Sequence, residues 1–367
     1  MKKPKSPLRI LFTLASFLIA LVLLGAAGLI GAAIYCNAAP AEKPEWISTA
    51  GYGAGYGEFS GIQIDDSGMV LFEVREGESA YRVGQRLEQA GLIKTRYFWN
   101  MLSRLEKDYL KAGTYRLGFP SSQTEIRAVL VEGKQILLRV TIPEGVTLKK
   151  AALILETEGI CSAGDFLAAA GDKALLDSYR IPNETMEGYL YPDTYFFPAS
   201  YPAERVVKTM ADTFFDRLKE IAPESVKLNS RELNNVIILA SIVEREYRVA
   251  DEAPLMAGVF YNRIGIRMPL QSCATVEYII TEIQGKPHPV KLYNVDIEIQ
   301  HPYNTYIIPG LPPGPISFPG RTALSAVFHP AETEYLYFRL VNEAAGRHYF
   351  SKTLDSHIKA GELFVKG

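Results

Sequence analysis

The 367-residue sequence predicts an α+β protein with one N-terminal transmembrane helix, a small strand–helix–helix–strand module and a mixed α+β domain around a buried central helix. Three observations carry that prediction. An uncharged apolar run fills Ile10 to Ile34, strand-like and helix-like segments alternate from Val70 onward with Gly turns between them, and Asn229 to Tyr247 is a helical pattern apolar on every side. The hydrophobic content of 48% suffices for packed cores, and the length suggests two or three domains. A formal net charge of −2 without a long basic run gives no case for nucleic acid or another polyanion. Cys36, Cys161 and Cys273 are too few and too scattered for a disulfide framework or a zinc cluster. The five histidines lack metal-site spacing, so neither metal nor cofactor is expected.

In chain order, the first element is the apolar run, which at 1.5 Å per residue is long enough to cross a hydrocarbon core of ~30 Å. Lys2, Lys3, Lys5 and Arg9 precede it. That charge bias keeps residues 1–9 cytoplasmic, makes residues 10–35 a single-pass anchor in the cytoplasmic (inner) membrane, and exports the rest. A cleaved signal peptide is the competing reading, but it has a shorter apolar core and a small-residue cleavage site. A lipoprotein-type signal wants a small residue where Tyr35 stands. Residues 36–69, with "APAEKPEW" and "GYGAGYGEFSG", read as a flexible spacer or an ordered Gly-Tyr loop.

Residues 70–140 open a faint internal repeat. "VREGESAYRVGQRLEQAGLI" from Val74 and "IPEGVTLKKAALILETEGIC" from Ile142 share a strand end, a Gly turn, a Ser or Thr cap and an amphipathic helix stopped by Gly. The first copy continues through a second helix, "TRYFWNMLSRL", to a returning strand, "KAGTYRL". This layout resembles LysM modules, which bind N-acetylglucosamine chains. A purely structural α+β module fits it too.

Residues 141–367 hold the chemistry-bearing segments. "MEGYLYPDTYFFP" sets Glu187 and Asp193 among aromatic residues, which suits either a packed turn or a sugar that stacks its C–H face and hydrogen-bonds its hydroxyls. The apolar helix starts with a capping-box pattern, Asn229 and Glu232, and ends in Glu244 and Glu246. At 100° per residue those two carboxylates point in different directions. They cannot flank one bond as the paired carboxylates of an ordinary glycosidase do. A single Glu at the end of a dry helix has its pKa raised by desolvation, which suits a general acid. A Glu paired with Arg245, Arg248 or Arg263 for structure alone is the alternative. Beyond this helix, Asp251 reads as a cap before another, and Gln271 falls in a loop, as a ligand-binding amide or an ordinary one. "YNTYIIPGLPPGPISFPG", from Tyr303, is a rigid irregular loop with five prolines.

Taken together, "EGYLYPDTY", "LASIVEREY", "VFYNRI", "MPLQ", "YNTY", "GLPPGPISFPG" and "HPAETEYLYF" resemble the endolytic murein transglycosylase family, also called MltG or YceG-like. The resemblance implies a lytic transglycosylase acting on nascent peptidoglycan at the β-1,4 bond between N-acetylmuramic acid and N-acetylglucosamine. The muramic acid's own 6-hydroxyl attacks C1 and leaves a 1,6-anhydro end. It makes Glu246 the catalytic acid and base, with Glu244 in support. It sets Gln271, Tyr303, Asn304 and Thr305 along the glycan cleft, and Glu187 and Asp193 more weakly on the same wall. It also suggests penicillin-binding protein synthases as partners. Two departures stand out: Tyr247 replaces a usual Thr or Ser, and "LQSCATV" replaces "LQTDPTV", so that Ser272, Cys273 and Ala274 stand for Thr, Asp and Pro. A non-catalytic peptidoglycan-binding scaffold is the alternative function. A serine or metallo peptidase lacks any nucleophile or metal spacing.

Overall fold

The computed structural model describes residues 7–44, 62–64, 69–106, 108–199 and 201–364. Internal contacts divide the chain into two compact units, Met1–Leu137 and Leu138–Gly367. Residues 1–6 of the expected cytoplasmic tail and residues 45–61 and 65–68 of the expected spacer lie outside the described residues.

In the first unit, helix α1 (Pro7–Asn37) contains the apolar run, and its 24-residue stretch Leu14–Asn37 has the length and composition to cross a membrane. Strands β1 (Ile62–Ile64), β2 (Val70–Val74) and β3 (Gly113–Leu117) form one antiparallel sheet in that order, with Val70 opposite Leu117 and Phe72 opposite Tyr115. Thus part of the expected spacer is a strand. Between β2 and β3 lie helices α2 (Ala80–Gln89) and α3 (Arg96–Glu106), and α4 (Gln123–Glu132) follows. Val70, Phe72, Leu87, Trp99, Tyr115 and Leu130 fill the core.

Strand β4 (Leu137–Thr141) starts at the boundary residue and leads into the second unit, with helices α5 (Leu148–Thr157), α6 (Ala163–Ala170) and α7 (Lys173–Ser178). Strand β5 (Thr194–Pro198) pairs with β4, and helix α8 (Ala203–Ile221) packs against α6. The repeat read from the sequence is present in both copies. Ser79 and Thr147 cap α2 and α5, and each copy turns at a left-handed Gly, Gly77 or Gly145.

Helix α9 (Ser230–Glu246) is the centre of this unit. Asn229 accepts the amides of Arg231 and Glu232 at 3.0 Å, while Glu232 accepts the Asn229 amide at 2.9 Å, a complete capping box. Ile237 through Val243 are all buried, so each large apolar side chain among them contributes about 1.5–3 kcal/mol of transfer free energy. Packed on α9 are α10 (Ala253–Gly265), α11 (Cys273–Tyr278) and α13 (Arg321–Phe328). A π-helical turn, Ile279–Ile283, continues α11, and the short α12 (Asn294–Ile297) follows. The antiparallel pair β6 (Tyr337–Asn342) and β7 (Arg347–Ser351) and helix α14 (Leu354–Lys359) complete the unit. Asp251 does not cap α10. Its carboxylate pairs with Arg347 at 2.7 Å, and a 3₁₀ turn over Ala250–Glu252 leads into the helix.

Candidate active site

The last turn of α9 sends three consecutive charged side chains to three different partners. Glu244 accepts the amide of Gly320 at 2.8 Å and the hydroxyl of Tyr247 at 3.1 Å. Arg245 pairs with Glu277 of α11 at 2.8 Å. Glu246 receives a short hydrogen bond from the Ser272 hydroxyl. A helix C-terminus is the negative end of the dipole, so ionised carboxylates are disfavoured there. Burial pushes the Glu244 carboxyl up to about 7, with the Gly320 amide opposing and Glu144 adding to the rise. Burial also raises Glu246; the Ser272 hydrogen bond opposes it, Glu277 adds to it, and Arg245 and Arg263 oppose it.

Ser272 is held for this contact by the loop "YNTY". Thr305 accepts the Ser272 amide through its hydroxyl at 3.1 Å and the Gln271 amide through its carbonyl at 2.9 Å. The Thr275 hydroxyl lies 2.9 Å from that of Thr305 and donates to the Ser272 carbonyl at 2.8 Å. Arg263 fixes the approach to this turn by donating to the carbonyls of Leu270 and Leu336, both at 2.6 Å. Gln271 itself has φ of 50°, a left-handed conformation that costs a non-glycine residue on the order of 1 kcal/mol and concentrates at functional sites. Its side chain is exposed.

A second group gathers around Glu187. Both of its carboxylate oxygens face the amide of Leu148, the first residue of α5, at 3.0 and 3.1 Å. Burial pushes this carboxyl up to about 8, against the pull of the Leu148 amide, with Glu282 adding to the rise and Arg245 and the Tyr278 hydroxyl opposing it. Tyr278 packs on Tyr303, ring centres 5.2 Å apart, and the three residues line an open cavity of about 470 Å³ with Pro313, Gly314 and Pro315. The charge of Arg245 acts on both Glu187 and Glu246, so the Arg245–Glu277 pair links the two groups.

The residues singled out in the sequence therefore separate into sets. Glu246, Gln271 and Thr305 meet at Ser272, and Glu187 meets Tyr303 across the cavity. Asn304 is buried with its amide nitrogen donating to the Ile297 and Ile299 carbonyls and its oxygen accepting the Tyr306 amide. Thr305 is likewise buried, with its hydroxyl committed to Ser272 and Thr275. Both shape the loop from beneath instead of facing a ligand, because their polar groups satisfy the chain itself. Asp193 stands apart, capping the Thr194 amide at 2.7 Å and lying 3.8 Å from Arg217. The Pro-rich loop is no surface connection: Gly314 through Gly320 are buried against α9, where the Ile316 amide donates to the Ser241 hydroxyl at 3.0 Å.

Sequence reasoning missed Tyr278, Glu277 and the positioning role of Ser272. The signal for the last was "QSC", read only as a departure; a hydroxyl directly after an exposed loop amide could have been read as a partner for the lone acid. Among the described residues no group of His, Cys, Asp or Glu could hold a metal ion.

A raised carboxyl at a helix end, held by one hydroxyl, and a second raised carboxyl beside tyrosines and a rigid proline loop define a carboxyl-based site on an α+β scaffold. Comparison with known proteins gives the family: the YceG-like family matches residues 72–362, and the chain belongs to it. A protein named endolytic murein transglycosylase from Bacillus subtilis is 29% identical over 83% of this chain and 87% of its own length. One of the same name from Streptococcus pneumoniae is 28% identical over 81% of this chain, which spans 58% of that relative's length. A crystal structure of a YceG-like protein from Listeria monocytogenes is 31% identical, has a TM-score of 0.54, and covers 79% of this chain and 98% of its own.

Proposed function

We propose that this chain is a membrane-anchored lytic transglycosylase that cuts the β-1,4 bond between N-acetylmuramic acid and N-acetylglucosamine in peptidoglycan. The single observation that carries the proposal is the state of Glu246. The neighbouring carboxylates are engaged: Glu277 by Arg245, Glu187 by the Leu148 amide, and Glu244 by Gly320 and Tyr247. Glu246 is raised by burial and receives one hydroxyl. The relatives named endolytic murein transglycosylase support the substrate class.

In this reading the protonated Glu246 gives its proton to the glycosidic oxygen as the C1–O4 bond breaks, and N-acetylglucosamine leaves with a free 4-hydroxyl. The 6-hydroxyl of the muramic acid then bonds to C1, closing the 1,6-anhydro ring, and its proton returns to Glu246. The acid is regenerated and no water is consumed, so no second carboxylate is required. Ser272 holds Oε1 and leaves Oε2 for the substrate. The Glu187–Tyr278–Tyr303 cavity and the exposed Gln271 offer walls for the flanking sugars. Helix α1 anchors the protein in the cytoplasmic membrane, with the basic residues 2–9 inside and the chain beyond α1 outside.

The test is mass analysis of glycan strands after incubation of peptidoglycan with the full chain. Anhydro-muramic ends are expected, and Glu246→Gln should abolish them in a folded protein while Glu244→Gln keeps them. Reducing muramic ends would mean hydrolysis, and no products from the wild type would favour a binding scaffold.

A further inference from the structure

Helix α3 carries an apolar face that nothing in the first unit covers. Tyr97, Met101 and Leu105, spaced four residues apart and so aligned on one side, are 73%, 44% and 69% exposed. Tyr109, beyond the helix, is 90% exposed. The opposite side of α3 is committed to the core through Trp99, whose indole donates to the Ala80 carbonyl at 2.8 Å.

What lies next to the start of α3 is the end of α1. The two helices are in contact, and the junction is built from specific hydrogen bonds. The Gln123 amide nitrogen donates both to the Cys36 carbonyl at 3.0 Å and to the Thr95 carbonyl at 2.9 Å, tying the last turn of α1 to the residue before α3. Asn37 exchanges two hydrogen bonds with Thr124, at 3.0 and 3.1 Å. Lys94 sits over the Tyr35 ring, 4.3 Å from its centre, and donates to the Tyr35 carbonyl. The 24 residues of Leu14–Asn37 span about 36 Å, which places Tyr35 to Asn37 at the headgroup level of the bilayer crossed by the rest of the helix. The start of α3 is thereby pinned at the same depth.

We propose that the Tyr97–Met101–Leu105 face of α3 lies on the surface of the bilayer that α1 crosses, so that the first unit is seated on the membrane rather than held away from it. The chemistry matches an interfacial helix: aromatic and aliphatic groups on one stripe, with Lys94, Arg96 and Arg104 beside them to meet lipid phosphates. The proposal rests on α1 being a membrane anchor, and the test separates the two. The full chain, freed of its cysteines by Cys36→Ser, Cys161→Ala and Cys273→Ala, is reconstituted in vesicles containing phosphatidylglycerol. A polarity-sensitive fluorophore is placed by Leu23→Cys in α1, Met101→Cys in α3, or Lys134→Cys just past the far end of α4.

Spin-labelled lipid should quench the Leu23 and Met101 probes, the latter by about twofold or more, while aqueous iodide quenches the Lys134 probe alone. Adding Tyr97→Glu and Leu105→Glu should return the Met101 probe to water and leave the Leu23 probe in lipid. A Met101 probe as open to iodide as that at Lys134, with Leu23 in lipid, overturns the seating and leaves the anchor intact. A Leu23 probe open to iodide defeats the anchor and the seating together. Shielding of Met101 by soluble N-acetylglucosamine oligomers without lipid quenching overturns the proposal in favour of a glycan-binding face. Circular dichroism checks folding throughout, and the Met101→Cys result decides even if the double Glu variant misfolds.

Discussion

At the scale of single residues, Ser272 and Tyr247 turn two departures from the family pattern into physical assignments. Ser272 stands where the resemblance to the family implies a Thr, keeps a hydroxyl there, and donates it to Glu246. A hydrogen bond to a carboxylate contributes about 1.5–3 kcal/mol, so Ser272→Ala should lower the rate of anhydro-product release by about one to two orders of magnitude. The loss of a bond that favours the ionised acid should also move the alkaline limb of the pH–rate profile upward. Ser272→Thr should restore both, and a variant that merely loosened the loop would move the rate without moving that limb. Tyr247 ends α9 and donates to Glu244, which in turn holds the Gly320 amide. Tyr247→Phe should therefore cost about 1–2 kcal/mol in chemical denaturation while product release by the folded protein stays near wild type. A large loss of activity at unchanged stability would give Tyr247 a place in the reaction that its contacts do not suggest.

At the scale of elements, the central helix was readable because its determinants are local. The Asn229–Glu232 box sets its start, an unbroken apolar run buries its middle, and one turn of helical geometry separates Glu244 from Glu246. The capped repeat was readable for the same reason. The site around Glu246 was only half legible, since Ser272, Thr305 and Glu277 reach it from elements 26 to 59 residues away in sequence, and no periodicity encodes such contacts. The packing of the proline loop involves Gly188, which lies in the "MEGYLYPDTYFFP" segment and whose contact with the loop no local pattern encodes. Gly188 has φ of 83°, and a Cβ there would lie 2.4 Å from the Pro315 side chain, a rigid ring that cannot swing aside. Gly188→Ala should destabilise the protein by about 2 kcal/mol or more, because left-handed strain and overpacking coincide. It should also weaken activity by displacing the loop from Glu187 and Tyr303. Thermal denaturation comparable to wild type would show that the loop yields more readily than its packing implies.

Over the whole molecule, three raised carboxyls in one unit set how stability depends on pH. A carboxyl whose pKa is higher in the folded state holds its proton more tightly when folded. Its contribution is fully present below the ordinary value near 4.5 and is lost as pH rises through the folded value. For Glu244 the loss runs up to about pH 7, and for Glu187 up to about pH 8, with Glu246 adding in the same direction. Glu125 and Glu334 are shifted the other way by hydrogen bonds and by Lys352, but both are exposed at the surface and act below the ordinary value. His357, lowered by burial and by Arg339 and Arg263, opposes the carboxyls within the window, but it is one half-buried group against three. The melting temperature should therefore fall from pH 5 to pH 8.5, instead of rising as it does in proteins whose carboxylates are chiefly salt-bridged. Glu187 is the most buried of the three and can be replaced by Gln, which keeps an oxygen to accept the Leu148 amide but cannot ionise. Glu187→Gln should flatten the upper part of the curve and stabilise the protein at pH 8.5 by on the order of 2 kcal/mol, or about 4–8 °C. The same replacement should leave stability at pH 5 almost unchanged, since the native carboxyl is already neutral there. A variant curve running parallel to wild type across this range would mean that Glu187 ionises freely in the folded state. The cavity it borders would then be wetter, and more negatively charged at neutral pH, than its burial implies.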